Sequence, residues 1–119
     1  MFINLSNHGS LDWGEAQRSA AEQYGEIVDL PFPQIPVDIR SEEIDALVAE
    51  YLDKINNYQT DAIMVMGEFV FCFRLITALK QQGKKVLAST TERRVIELRQ
   101  EDGTVTKTSE FVFCGFREY

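Results

Sequence analysis

The stretch 61-DAIMVMGEFVFCFRLITALKQQGKKVLAS-89 decides the fold. Asp61 to Met66 is a continuous apolar run, the pattern of a strand buried on both faces, and Lys84 to Ser89 reads as another. Between them, "GEFVFCF" has the aromatic and β-branched bias of a strand. Joining two parallel strands, however, takes a crossover of about a dozen residues or more. Sixteen residues ending at Gly83 fit a helix, so helix is expected from Phe69 to about Gln82. Such a helix is apolar on more than one side. Phe69, Cys72, Phe73, Ile76 and Leu79 are expected to face the sheet, and Val70, Phe71, Leu75 and Ala78 to cover a second face. The second set implies burial against another element or a second copy of the chain.

Working toward the N-terminus, Ser41 is expected to cap a helix whose Ile44, Leu47, Val48, Tyr51, Leu52 and Ile55 form an amphipathic stripe. Residues 26–30 read as a strand ended by "PFPQIP". Asp12 with Glu15 resembles a capping box opening a helix that Gly25 stops. Residues 2–6 are a first short strand. Toward the C-terminus, "RRVIELRQ", "EDGT" and "VTKTSEFVFCGF" read as a hairpin turning at Asp102-Gly103. The order is β-α-β-α-β-α-β and then a hairpin. It predicts an α/β, Rossmann-like, mainly parallel sheet with helices on both faces and a C-terminal β-hairpin, in one domain spanning residues 1–119.

Composition narrows the chemistry. The net charge of −7 opposes binding to duplex nucleic acid, which depends on clustered Lys and Arg. No apolar run approaches the roughly 20 residues that span a bilayer, and Met1 leads into "FINL" without a secretory pattern, so a cytoplasmic protein is expected. Cys72 and Cys114 lie in apolar stretches and read as buried free thiols. One histidine and no CxxC leave no expected metal site, and without GxGxxG or GxxxxGK[ST] no nucleotide cofactor is expected.

In open parallel sheets, ligands bind beyond the carboxyl ends of the strands. That rule selects Ser6 to Ser10, Pro31 to Pro33, Gly67-Glu68 and Thr90 to Arg94. In the first loop, His8 can move a proton, Asn7 can orient a polar ligand, and the Gly9 and Ser10 amides can meet an anion. Equally, Asn7 and Gly9 can make a plain turn with His8 in solvent. Gly67 allows close approach, and Glu68 is either a ligand contact or a helix-start acid. Thr90, Thr91, Arg93 and Arg94 offer hydroxyls and guanidinium forks for phosphate, or the arginines simply pair with Glu92.

Taken together, "INLSNH", "VMGEF", "STTERR" and "FVFCGFREY" resemble the small stand-alone proteins of the CRISPR-associated Rossmann fold (CARF) group, ring nucleases included. The resemblance implies a homodimer in antiviral signalling, with a cyclic oligoadenylate lying across the shared cleft. It also implies metal-independent cleavage, in which a ribose 2′-hydroxyl attacks the adjacent phosphorus and leaves a 2′,3′-cyclic phosphate. By position, Ser6 and Asn7 would hold the scissile phosphate, with His8 as acid or base. Thr90, Thr91 and Arg93 would contact phosphate or ribose, while Gly67 and Glu68, with Phe69 beside them, would line the adenosine pocket. This chain departs from the family in having few cations near the cleft. Two alternatives stand beside it: a binding module that does not cleave, and a nucleoside glycosyl-transfer enzyme using Glu68, for which no second acid is visible.

Overall fold

Phe2–Ser6 forms β1, an interior strand of a sheet built as the sequence predicts for its parallel half. The computed structural model describes residues 1–119. After a 3-10 turn (Ser10–Asp12), the chain continues through α1 (Glu15–Glu22), β2 (Ile27–Asp29), α2 (Ser41–Asn56), β3 (Ala62–Met66), α3 (Phe69–Gln81), β4 (Val86–Arg99) and β5 (Val105–Glu118). The strand order is β2-β1-β3-β4-β5; β1 to β4 are parallel and β5 is antiparallel to β4. No helix is long and apolar enough to cross a membrane.

The period of two along the strands divides the core. Ile3, Leu5, Ile63, Val65 and Val86 point to one side and bury against α2 and α3. Phe2, Ala62, Met64 and Leu87 point to the other, where Ala21 of α1 and Trp13 cover them. Helices therefore lie on both faces, two against one. From α2 come Ile44, Val48, Tyr51 and Ile55, four positions of the expected stripe.

Five expectations are corrected here. First, the fourth strand and the first hairpin strand are one element, so the sheet has five strands. No Gly, Pro or Asn interrupts Val86–Arg99, and the β-branched Thr90 and Thr91 sustain extended backbone where a loop was expected. A bulge at Thr90/Thr91 bends the ladder instead. Second, α1 starts after Gly14 rather than at Asp12, which closes the 3-10 turn. Third, Ser41 is the first residue of α2; its hydroxyl accepts from Arg74 (2.9 Å) and caps nothing.

The fourth correction concerns α3, which buries Phe71, Cys72, Leu75 and Leu79. Phe71 sets this rotation: its ring meets Phe32 and Tyr51 edge-on at 5.4 and 5.6 Å. Phe69 and Phe73, expected against the sheet, are 89% and 73% exposed. Cys72 is buried as expected, and burial, then the nearby Glu68 charge, pushes its thiol up to about 11. Cys114 is exposed, against expectation, because it occupies the bulged segment of β5.

Candidate functional site

The connection from β1 leads to β2 on one side, and the chain then returns across β1 to β3 on the other. The switch point of the sheet thus falls between β1 and β3, where Ser6 and Met66 are register partners. The loops after both strands meet there.

Asn4 organises the first loop. It is 2% exposed in the middle of β1, and its amide donates to Asp29 Oδ1 and to the His8 carbonyl, both at 2.8 Å. Ser6 donates to Asn4 Oδ1 (2.8 Å) and accepts from the His8 amide (3.3 Å). Asp29, at the end of β2, also accepts from the Ser10 amide (3.1 Å) and hydroxyl (2.9 Å). Burial raises the Asp29 carboxyl, but hydrogen bonds from Asn4 and Ser10, with the Arg18 charge, outweigh it and hold the group below its ordinary value. Arg18 closes the network by donating to the Ser10 carbonyl.

This geometry separates the expected residues of the loop. The Ser10 amide already serves a carboxylate, and Ser10 is 6% exposed, so the anion expected there is Asp29 itself. Ser6 is half-committed to shaping the turn. Asn7, His8 and Gly9 are exposed, and the His8 imidazole makes no hydrogen bond.

Gly67 is required by packing. A Cβ there would stand 2.3 Å from the Phe32 ring, the same ring that packs on Phe71. Glu68 caps α3, its two carboxylate oxygens accepting from the Val70 amide (2.9 Å) and the Phe71 amide (2.8 Å). Both oxygens are thereby engaged, as the helix-start reading expects.

On the α1 side of the switch point lies an open groove of about 740 Å³. Met64 and Met66 form its floor, Phe111 and Phe113 one wall, and the segment from Asp12 to Gln17 the other. Ser6, Asn7, His8 and Gly67 edge its mouth; Ser89 and Thr91 add hydroxyls. Its only charged lining residues are Asp12 and Glu15. A smaller hollow of about 320 Å³ on the opposite side reaches Asn7, Gly9, Asp29 and Phe32.

The fourth expected loop is dispersed by the strand that replaces it. Thr90 donates to the Gly115 carbonyl (2.8 Å), locking the bulge. Thr91 sits opposite Phe113 and Arg93 opposite Phe111, so Arg93 stands on the groove's face just beyond its wall and has no ion pair. Arg94 is opposite Glu110 on the other face, 3.5 Å from Glu92. Phe69 lies on the far side of α3's first turn, 89% exposed and outside the groove.

Sequence reasoning missed Asn4, Asp29, Trp13, Met64, Met66 and Phe113. Asn4 carried a signal, since a polar residue inside the apolar "FINL" needs buried partners. Phe113 carried none, because its place on the groove depends on the bulge. No three His, Cys, Asp or Glu side chains converge into a set that could hold a metal ion. No curated protein and no solved structure matches the chain. The family comparison covers the three helices and all of the sheet but the last residue of β5: the match runs over residues 1–117, and the chain belongs to the Uncharacterized protein MJ1673 family.

Proposed function

We propose that the groove binds a cyclic oligoadenylate shared between two copies of the chain, on a Rossmann-like sheet of the CARF type and in the cytoplasm. The observation that carries this reading is the composition of one groove at the switch point. An aromatic and thioether surface (Trp13, Met64, Met66, Phe113) suits the face of a base, and a rim of Ser6, Asn7, His8 and Thr91 suits ribose and phosphate. Such a ligand belongs to antiviral CRISPR signalling. In its metal-independent cleavage, the ribose 2′-oxygen forms a bond to phosphorus as the bond from phosphorus to the 5′-oxygen breaks. His8, with its free imidazole, takes the 2′-hydroxyl proton; a solvent water in the open groove gives a proton to the departing 5′-oxygen, and the hydroxide so formed takes the proton back from His8.

A second reading, binding without cleavage, is favoured by one specific feature. The lining holds Asp12 and Glu15 and no Lys or Arg, and Arg93 stands beyond the wall, so the charge developing on the phosphoryl oxygens meets no cation in the lining. Incubation with cyclic tri-, tetra- and hexa-adenylate, followed by chromatographic separation, tests both. Linear products that disappear in His8→Ala, while ring binding persists, are expected for the ring nuclease. Binding without turnover selects the sequestering module, and binding of no ring removes both.

A further inference from the structure

Beyond the groove, the β4–β5 hairpin projects without cover. Every residue from Thr91 to Phe111 is exposed, Val95, Ile96, Leu98 and Val105 among them. The radius of gyration, 17.6 Å, exceeds the roughly 13–14 Å of a compact chain of this length, and the molecule is 59 Å long. A two-stranded ribbon alone in water is marginal at best.

The ribbon's two edges differ. Along β4, Glu92, Arg93, Arg94, Glu97 and Arg99 crowd the edge with charge, the usual protection against pairing. Along β5, the outermost strand of the sheet, Val105–Phe113 carries only Lys107 and Glu110 among threonine, serine, valine and phenylalanine. The nine residues Val105–Phe113 offer an unpaired edge longer than the usual strand of about 5–6 residues.

We propose that Val105–Phe113 of β5 pairs antiparallel with the same segment of a second copy, and that this pairing places Lys107 of the partner subunit at the groove. Opposed residues in an antiparallel ladder share a face, so a strand pairing with its own copy has its two-fold axis perpendicular to the sheet and through one residue. Ser109 is the middle of the run. Pairing about Ser109 sets Lys107 of the partner subunit opposite Phe111, with Cβ atoms about 5 Å apart. Lys107 shares its strand face with Phe111 and Phe113, the groove's own wall. Within its own chain it holds only Glu97 at 3.4 Å, both side chains exposed, a weak tie. The partner thus brings a cation to a groove lined by Asp12 and Glu15, and both grooves open on the same side of one continuous sheet. The role of Lys107 rests on the ligand reading above; the pairing of the strands does not.

The ligand-free wild-type chain tests the pairing by light scattering, with a mass of twice 13.6 kDa expected. In a Cys114→Ser background, Ser109→Cys is expected to form an intermolecular disulfide under mild oxidation, and Glu92→Cys on the opposite edge is not. Lys107→Gln is expected to keep the doubled mass and to weaken binding of cyclic tetra-adenylate at least ten-fold. A monomer, or a dimer linked through Glu92→Cys and not through Ser109→Cys, overturns the pairing. A cross-linked wild-type-like dimer that binds no ring overturns the ligand reading and leaves the pairing in place. Undiminished ring binding by Lys107→Gln overturns the partner's contribution to the groove.

Discussion

The body of the molecule and its hairpin arm are made of comparable side chains and hold their shape for opposite reasons. In the body, Ile3, Leu5, Ile63, Phe71 and Leu75 are all completely buried. In the arm, Ile96, Leu98 and Phe111 are 40%, 53% and 72% exposed, and only the ladder between β4 and β5 fixes the backbone. The body is therefore specified by side-chain volume and by which face each residue takes. The arm is specified by β-propensity and register. Mutations should discriminate the two regimes sharply, because packing terms are several kcal/mol and exposed β-surface terms are fractions of one.

The largest effect is expected at Phe71, whose ring locks Phe32, Tyr51 and α3 together. Phe71→Ala should cost about 3–5 kcal/mol, read as a fall in the urea midpoint at unchanged slope. A cost near 1 kcal/mol would mean that α3 is not held by this contact. Gly67 comes next. Its added methyl would meet the Phe32 ring at 2.3 Å, so Gly67→Ala should cost about 1–3 kcal/mol through overpacking. Combining it with Phe32→Leu should recover part of that cost, a coupling that a double-mutant cycle measures. If Gly67→Ala is instead stable and only ring binding fails, the glycine serves a ligand and not Phe32.

How much of this was legible beforehand follows the same division. The body's strands were readable because continuous apolar runs and the crossover length leave little choice. Its α2 stripe was readable because helical periodicity reports burial directly. The rotation of α3 was not, since Phe69, Val70, Phe71, Cys72 and Phe73 are all apolar and the periodic signal is flat. Only the long-range contact with Phe32 selects Phe71 as the core position. In the arm, the hairpin turn at Asp102-Gly103 was legible, and Gly103 has a positive φ of 89°. The fusion of two expected strands into one was hidden, because Ser89, Thr90 and Thr91 suit a polar loop and an exposed strand equally. That ambiguity is also why Arg93 and Arg94 could not be told apart: opposite faces exist only once the segment is a strand. At the first loop, spacing identified the right place, but the hydrogen-bonded pair of buried Asn4 and exposed Asp29 that holds it is joined across 25 positions.

A smaller effect is expected from pH at that pair, inside the body and near the groove. Asp29 titrates in the folded chain below its ordinary value of 3.8. A carboxyl lowered on folding stabilises above its unfolded value, and the contribution disappears as pH falls through the folded value. The wild-type chain should therefore lose stability more steeply below about pH 4 than Asp29→Asn, which carries no such charge. Urea midpoints at pH 6 and pH 3 compare the two. Equal slopes would show that Ser10 and Asn4 hold Asp29 equally well when it is protonated. At pH 6, Asp29→Asn should already be the weaker protein, since an amide cannot accept from Asn4 and Ser10 at both of its ends.

The smallest effect is expected at Ile96, and the same chemical change at Ile63 separates the two regions. Ile63→Thr and Ile96→Thr remove the same two carbons and add the same hydroxyl, and threonine keeps the β-branched shape in both strands. At Ile63, completely buried between the sheet and α2 and α3, the hydroxyl loses its water inside an apolar cluster, and about 2–4 kcal/mol is expected. At Ile96, opposite Thr108 on the exposed ribbon, the hydroxyl keeps its water and forms a Thr–Thr cross-strand pair; a change within about 0.5 kcal/mol is expected. The measurement is best made at low protein concentration, so that association of the arms does not add to the reading. A large loss at Ile96 under those conditions would mean that the arm folds back on its own body, and the comparison between a packed region and a laddered one would fail.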